Sequence, residues 1–376
     1  MDLQRSEDQE LFRETTRRYL ESTCPLPTVR EWAEKQPAGF PPEWWRRGAE
    51  LGWTSLLVAE EHGGGSISGH GLMDLVLIAE EMGRLVSPGP LGPANVVAAA
   101  LSESGSDEQR AEVLPQLLSG EALASWCLSE PGTGWDAQRI RATATERDGG
   151  FVLDGEKGPV EAAAEASWFL VTAEVGGALT QLLVPATAEG VSIAPLQSLD
   201  LVRRFATVRF DSVALPADTV VGTVGGAADM VEHQLEIALA IQCAEMVGAA
   251  DEMFGRTLAY SFDRFSFGRP LASYQALKHR FADMKLWLEA CHATAFGAAR
   301  AVEGRKERAP ELVSVAKSYI GDRAPAILQD CVQLHGGIGV TWDHDLHLYL
   351  RRVVQDRALF GTPDVHRERI AVMAGM

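Results

Sequence analysis

Two stretches in the last third of the chain hold residue types that can bind an anionic group. Residues 263–279 read Asp-Arg-Phe-Ser-Phe-Gly-Arg-Pro-Leu-Ala-Ser-Tyr-Gln-Ala-Leu-Lys-His, and residues 333–339 read Gln-Leu-His-Gly-Gly-Ile-Gly. Arg264 carries a planar guanidinium fork that donates two parallel hydrogen bonds, the geometry a phosphate accepts. Phe267 offers a ring for packing. The amides of Gln275 and Gln333 both donate and accept. Gly336 and Gly337 let the backbone approach a ligand where a Cβ would collide. A lone arginine or a lone Gly-Gly means little; the ordered set carries the weight.

Other constellations are weaker. Asp343-His344-Asp345-Leu346-His347 puts two histidines at i, i+3, but no third ligand cluster accompanies them, so no metal is expected. Asp343 reads instead as a helix N-cap. There is no Gly-x-Ser-x-Gly elbow and no P-loop. Arg351 and Arg352 suit either an interface or a phosphate.

The elements that must position these residues fall into three regions. Residues 1–120 read helical, with Pro42 in a first helical turn, Leu72, Leu75, Val76, Ala79 and Met82 at helical spacing, and Asp107 capping a helix that runs to Leu118. Residues 121–222 change to short β-type runs separated by turns such as Gly149-Gly150 and Gly176-Gly177, which suggests a small sandwich or barrel. Residues 223–376 return to long helical stretches, a bundle with a kink or break expected at Pro325. The fold class is therefore α+β: a helical domain, a small β domain and a helical bundle.

The bulk composition excludes some functions. The formal net charge is −18 over 376 residues, which argues against a nucleic-acid partner, since phosphate backbones need clustered Lys and Arg. Five scattered cysteines form no CxxC pair, which suits a reducing cytoplasm and gives no zinc site. The N-terminus lacks a secretory h-region, and no apolar run is long enough for a membrane span.

Residues 263–279 and 333–339, with the turn Glu60-Glu61-His62-Gly63-Gly64-Gly65 and the stretch Ser129-Glu130-Pro131-Gly132-Thr133-Gly134-Trp135-Asp136, resemble the acyl-CoA dehydrogenase family over essentially the whole chain. The resemblance implies FAD as cofactor and an acyl-CoA thioester as substrate. It implies that the C-terminal bundle of one subunit reaches across an interface to hold the pyrophosphate and adenosine of its neighbour's FAD. Arg264, Phe267, Gln275, Gln333, Gly336 and Gly337 match those positions. Ser129 keeps a hydroxyl suited to the flavin's pyrimidine side. Electron-transfer flavoprotein or an equivalent acceptor is implied as partner of the assembly.

The chain departs from the family pattern where the ring system and the base belong. Lys157-Gly158-Pro159-Val160-Glu161-Ala162-Ala163 stands where the family reads Lys-x-Trp-Ile-Thr-Asn-(Gly/Ala), so Pro159 and Glu161 replace the Trp and Thr that pack on the isoalloxazine and bond near N5. Trp135 replaces a small serine. The family's general base is a Glu in a Tyr-Glu-Gly-Thr stretch, and here Phe360 precedes Gly361-Thr362. The alternative base position, on the first long C-terminal helix, falls on Ala238. Glu236 lies about 200° around that helix and is a weak substitute. No intact catalytic residue is therefore expected. These departures resemble one subunit type of bacterial α2β2 acyl-CoA dehydrogenases, notably those of steroid side-chain breakdown, so a second acyl-CoA dehydrogenase-like subunit is expected. The alternatives are a non-catalytic subunit that stabilises a true dehydrogenase, and a homotetrameric flavoprotein that uses an unrecognised base.

Overall fold

Ser6 opens the first helix with a capping box: its hydroxyl accepts the Gln9 N–H while the Gln9 side chain accepts the Ser6 N–H. The structure, a computed structural model, describes residues 5–376. The N-terminal layer contains α1 (Glu7–Thr23), α2 (Leu26–Lys35), α3 (Pro42–Glu50), α4 (Gly71–Arg84), α5 (Leu91–Ser104), α6 (Asp107–Glu112) and α7 (Leu114–Leu118). Ser106, not Asp107, caps α6, again through a capping box, with Gln109. Pro115 cannot donate to a carbonyl one turn back, and the run expected to reach Leu118 divides into α6 and α7.

The β-type runs hydrogen-bond as one eight-stranded mixed sheet. Its strands are β1 (Ala124–Cys127), β2 (Thr143–Arg147), β3 (Gly150–Glu161), β4 (Trp168–Val175), β5 (Ala178–Pro185), β6 (Val191–Leu196), β7 (Phe205–Pro216) and β8 (Val220–Val221). The order is β6-β7-β3-β2-β4-β5-β8, with β1 beside β4. The pairings of β4 with β1 and β2 are parallel and the rest antiparallel. The β3–β7 register shifts between Lys157 and Val160. Pro159 lies in that shift and has no N–H to give the ladder. The Gly158 N–H turns away to the Ser129 carbonyl at 2.8 Å, which ties the end of β3 to the turn after β1.

The C-terminal bundle is built on α8 (Ala228–Asp263), about 54 Å long at 1.5 Å per residue. A short hairpin, β9 (Phe265–Ser266) and β10 (Arg269–Pro270), leads into α9 (Gln275–Glu303), followed by α10 (Ala309–His335), α11 (Leu346–Ala358) and α12 (Pro363–Met373). α10 runs through Pro325 as one helix, packed against α8, α9 and α12, in place of the expected break. Where α4 crosses α8, a Cβ on Gly83 would meet the Glu245 carbonyl oxygen at 2.1 Å, and one on Gly248 would meet that of Glu80 at 2.0 Å. The two helices therefore touch backbone to backbone, and the N-terminal layer and the bundle share a continuous core. No helix of the described residues is long and apolar enough to cross a membrane.

Candidate functional site

The residues singled out near the ring system converge. Pro159, Glu161, Trp135, Ala238 and Phe360 all line one cavity, with Pro93, Trp126, Phe205 and Leu359. Its volume is about 20 Å³, room for about one water molecule. Aromatic rings fill the rest: Trp135 lies 4.3 Å from Phe360 between centroids, and Trp126 lies 6.3 and 6.0 Å from the two. Trp135 is thus turned inward.

The turn that presents Phe360 is rigidly held. Phe360 and Gly361 both have positive φ, 59° and 100°. Lys317 Nζ donates to the Leu359 carbonyl at 2.8 Å and to the Asp356 carbonyl. His366 Nε2 lies 2.9 Å from the Phe360 carbonyl, which only accepts, so that nitrogen carries the proton. Burial pushes His366 down to about 4, so the imidazole is neutral at pH 7.

Glu161 is the one carboxylate among the described residues that line the cavity, and it does not stand free. Arg203 Nε lies 3.3 Å from its Oε1. Arg203 is itself part of a buried ionic group: it also contacts Glu245 and, at 3.0 Å, Asp356. Arg352 bonds Asp200 and, at 2.5 Å, Glu245. Sequence reasoning missed this group. From sequence Arg352 reads as an interface or phosphate contact, whereas its side chain is fully buried. Glu236 does not line the cavity, and it contacts His233 at 3.3 Å.

The remaining flagged residues gather elsewhere. Arg264 ends α8, Gln275 starts α9, and Gln333, Gly336 and Gly337 close α10. The helices run antiparallel, and Arg280 pairs with Asp330 while Tyr260 stacks on His335 at 4.4 Å, so these three ends lie at one end of the bundle. All six residues, Phe267 included, are exposed. The Arg264 side chain has no hydrogen-bond or ion-pair partner among the described residues. Gly336 has φ +66°, which favours glycine, but a Cβ on Gly336 or Gly337 would meet nothing within 4 Å. The close approach expected there is therefore not made within this chain. Ser129 is apart from this group, buried near Lys157 and Glu130, whose ion pair spans 2.7 Å.

Asp343 caps no helix. α11 begins at Leu346, whose N–H donates to His344 Nδ1 at 3.2 Å, and Asp345 is engaged by Arg30 at 2.7 Å. His344 packs on His335 and His347 stacks on Trp342, so the two histidines face different neighbours.

Family models for the N-terminal, middle and C-terminal domains of acyl-CoA dehydrogenase match residues 6–121, 125–213 and 228–374. The chain belongs to the acyl-CoA dehydrogenase family. Acyl-CoA dehydrogenases are FAD-dependent oxidoreductases acting on CH–CH bonds. Acyl-CoA dehydrogenase IpdE2 of Mycolicibacterium smegmatis is 30% identical over 368 residues, covering 97% of this chain and 98% of that one. Mitochondrial isobutyryl-CoA dehydrogenase of Bos taurus is 28% identical, covering 92% and 84%. Among solved structures, a variant of the Tcur3481-Tcur3483 steroid acyl-CoA dehydrogenase superposes with a TM-score of 0.88 at 26% identity, covering 98% of both chains. PigA, solved with FAD and proline, superposes at 0.91 with 23% identity over 100% of this chain and 99% of the other, a likeness of fold.

The two groups of residues fit FAD differently. The exposed end of the bundle fits an anionic dinucleotide: an unpaired guanidinium and a glycine-lined turn stand open to an outside ligand. The cavity at Pro159 does not fit a flavin ring. Ala238 and Arg264 are also roughly 39 Å apart along α8, farther than one dinucleotide reaches.

Proposed function

We propose that this chain is a subunit of an FAD-dependent acyl-CoA dehydrogenase assembly that lends a flavin-holding edge to a partner while its own acyl site is closed. The observation that carries this reading is the cavity at Ala238 and Phe360. Both positions for the family's base lack a carboxylate, and Trp126, Trp135 and Phe360 leave about 20 Å³, too little for a thioester. Glu161, the one acid lining the cavity, is held by Arg203.

In the assembly, FAD supplies the two-electron acceptor for α,β-dehydrogenation of an acyl-CoA. This chain's part is binding: Arg264 would hold the pyrophosphate by a charge-assisted hydrogen bond, Phe267 would pack against the adenosine, and Gln275, Gln333, Gly336 and Gly337 would complete the edge. The partner is a second acyl-CoA dehydrogenase-like subunit, which carries the base and flavin face. An electron-transfer flavoprotein or equivalent reoxidises the assembly. Similarity to a steroid acyl-CoA dehydrogenase whose name joins two designations supports the heteromeric arrangement. Free, buried cysteines suit a reducing cytoplasm.

The test is FAD per chain in the native assembly. About half an FAD per chain, with a distinct partner polypeptide, supports the reading. One FAD per chain in a homotetramer, bleached by an acyl-CoA, would overturn it.

A further inference from the structure

The buried ionic group joins all three layers of the fold. Glu161 ends β3, and Asp200 and Arg203 lie between β6 and β7. Glu245 is on α8, Lys317 on α10, and Arg352 and Asp356 on α11, while Arg352 also donates to the Ser87 carbonyl after α4 at 3.3 Å. Four carboxyl groups thus face three cations. Lys317 spends its protons on neutral oxygens, those of Gln242 Oε1, the Asp356 carbonyl and the Leu359 carbonyl. Two guanidinium groups are left to serve four acids.

The acids are not equally served. Glu245 has both oxygens on arginines. Asp200 has one oxygen on Arg352 and the other on the Val202 N–H at 2.8 Å. Among the described residues, Glu161 has only the 3.3 Å ion pair from Arg203 to Oε1, but its side chain keeps 15% exposure, whereas Asp356 is fully buried, with Oδ1 on Arg203 at 3.0 Å and Oδ2 without a partner. An ionised oxygen left bare in a dry interior costs several kcal/mol, and a carboxyl there takes a proton instead.

We propose that this group takes up one proton on the acid side of neutrality, seated on Asp356 Oδ2, and so acts as a proton-linked latch between the sheet and the helical bundle. Asp356 is faced by Asp200 and Arg203 from the β6–β7 segment, by Glu245 and Cys243 from α8, by Lys317 from α10, and by Arg352 on its own helix, while Glu161 from β3 joins the group through Arg203. Burial, with Glu245 and Asp200 reinforcing it against Arg203 and Arg352, pushes Asp356 up to about 7. Burial raises Glu161 as well, and it pushes Lys317 down to about 8.

The sign follows from linkage. The folded chain keeps a proton that the unfolded chain releases near the ordinary aspartate value, so the latch is fully stabilising below about pH 4. Its contribution is lost as pH rises toward 7 and is gone above.

The test compares the full-length chain with Asp356→Asn, which keeps the shape and cannot ionise. From pH 5 to pH 8 the wild-type folding equilibrium constant should fall about a hundred-fold relative to the variant's. Infrared spectra on the acid side of neutrality should contain a protonated-carboxyl band that the variant lacks. Parallel stability curves and no such band would overturn the proposal, and would mean that all four acids are ionised and a water serves Asp356 Oδ2. If Asp356→Asn does not fold, the infrared band of the wild type decides alone, with Glu161→Gln reporting whether the proton is shared.

Discussion

Arg352 sits with its whole side chain buried between Asp200 and Glu245. Arg352→Met would keep the stem's packing, strand Asp200 without an ion-pair partner and leave Glu245 with Arg203 alone. We expect a loss of about 3–5 kcal/mol in urea unfolding. Asp200→Asn with it should recover part of that loss, since the stranded charge is gone. Phe360→Glu supplies the carboxylate that the family uses as base. It should give the chain no turnover, because Trp135 and Trp126 still fill the space beside it. An acyl-CoA-dependent loss of flavin absorbance in that variant on its own would refute this. Arg264→Ala should weaken FAD retention by the assembly by about 1.5–3 kcal/mol, one charge-assisted hydrogen bond, read by flavin titration. At this scale the sequence is informative where a motif is local. Pro159, Glu161, Trp135, Ala238 and Phe360 stand out in separate stretches and meet at one cavity. The Asp200–Arg203–Glu245–Arg352–Asp356 group is not visible, because its members come from three distant segments of the chain and buried charge has no sequence signature.

Among the elements, the α4–α8 crossing is the least tolerant. Gly83 and Gly248 each stand against the other helix's backbone, and neither carbonyl can move without breaking a helical turn. Gly248→Ala should destabilise by about 1–3 kcal/mol, seen as a lower thermal midpoint. It should also displace Glu245, which lies one helical turn before Gly248 on α8. Helix existence is legible from apolar spacing and capping residues. Ends are less so: Ser106 caps where Asp107 was expected, because a hydroxyl with Gln109 three residues on makes a reciprocal pair. α10 passes Pro325 because burial on three helices outweighs one lost hydrogen bond. The strand β2 (Thr143–Arg147) escapes a sequence reading; it reads Thr-Ala-Thr-Glu-Arg, with one buried residue, and pairing with β3 makes it a strand.

For the whole molecule, five cysteines are buried in separate places. Burial pushes Cys24, Cys243, Cys291 and Cys331 up to about 12, and Cys127 higher still. The folded thiols keep protons that unfolded ones release near pH 9, so their contribution is complete below that value and lost as pH rises toward 12. A thiol reagent at pH 8 should modify none in the native chain and all of them in denaturant; rapid native labelling would contradict the packing. The opposite extreme is Phe267, 97% exposed at the tip of the β9–β10 hairpin, with φ +50° beside Gly268 at +80°. Turns of this shape favour Asn-Gly, so nothing in the isolated chain rewards a phenyl ring there. Phe262 and Phe265 are exposed close by. A newly made copy released from the ribosome therefore advertises greasy surface to chaperones and proteases until a mate arrives. Its half-life in a cell should follow the supply of that mate, and over-producing the chain by itself should yield insoluble material that co-production rescues.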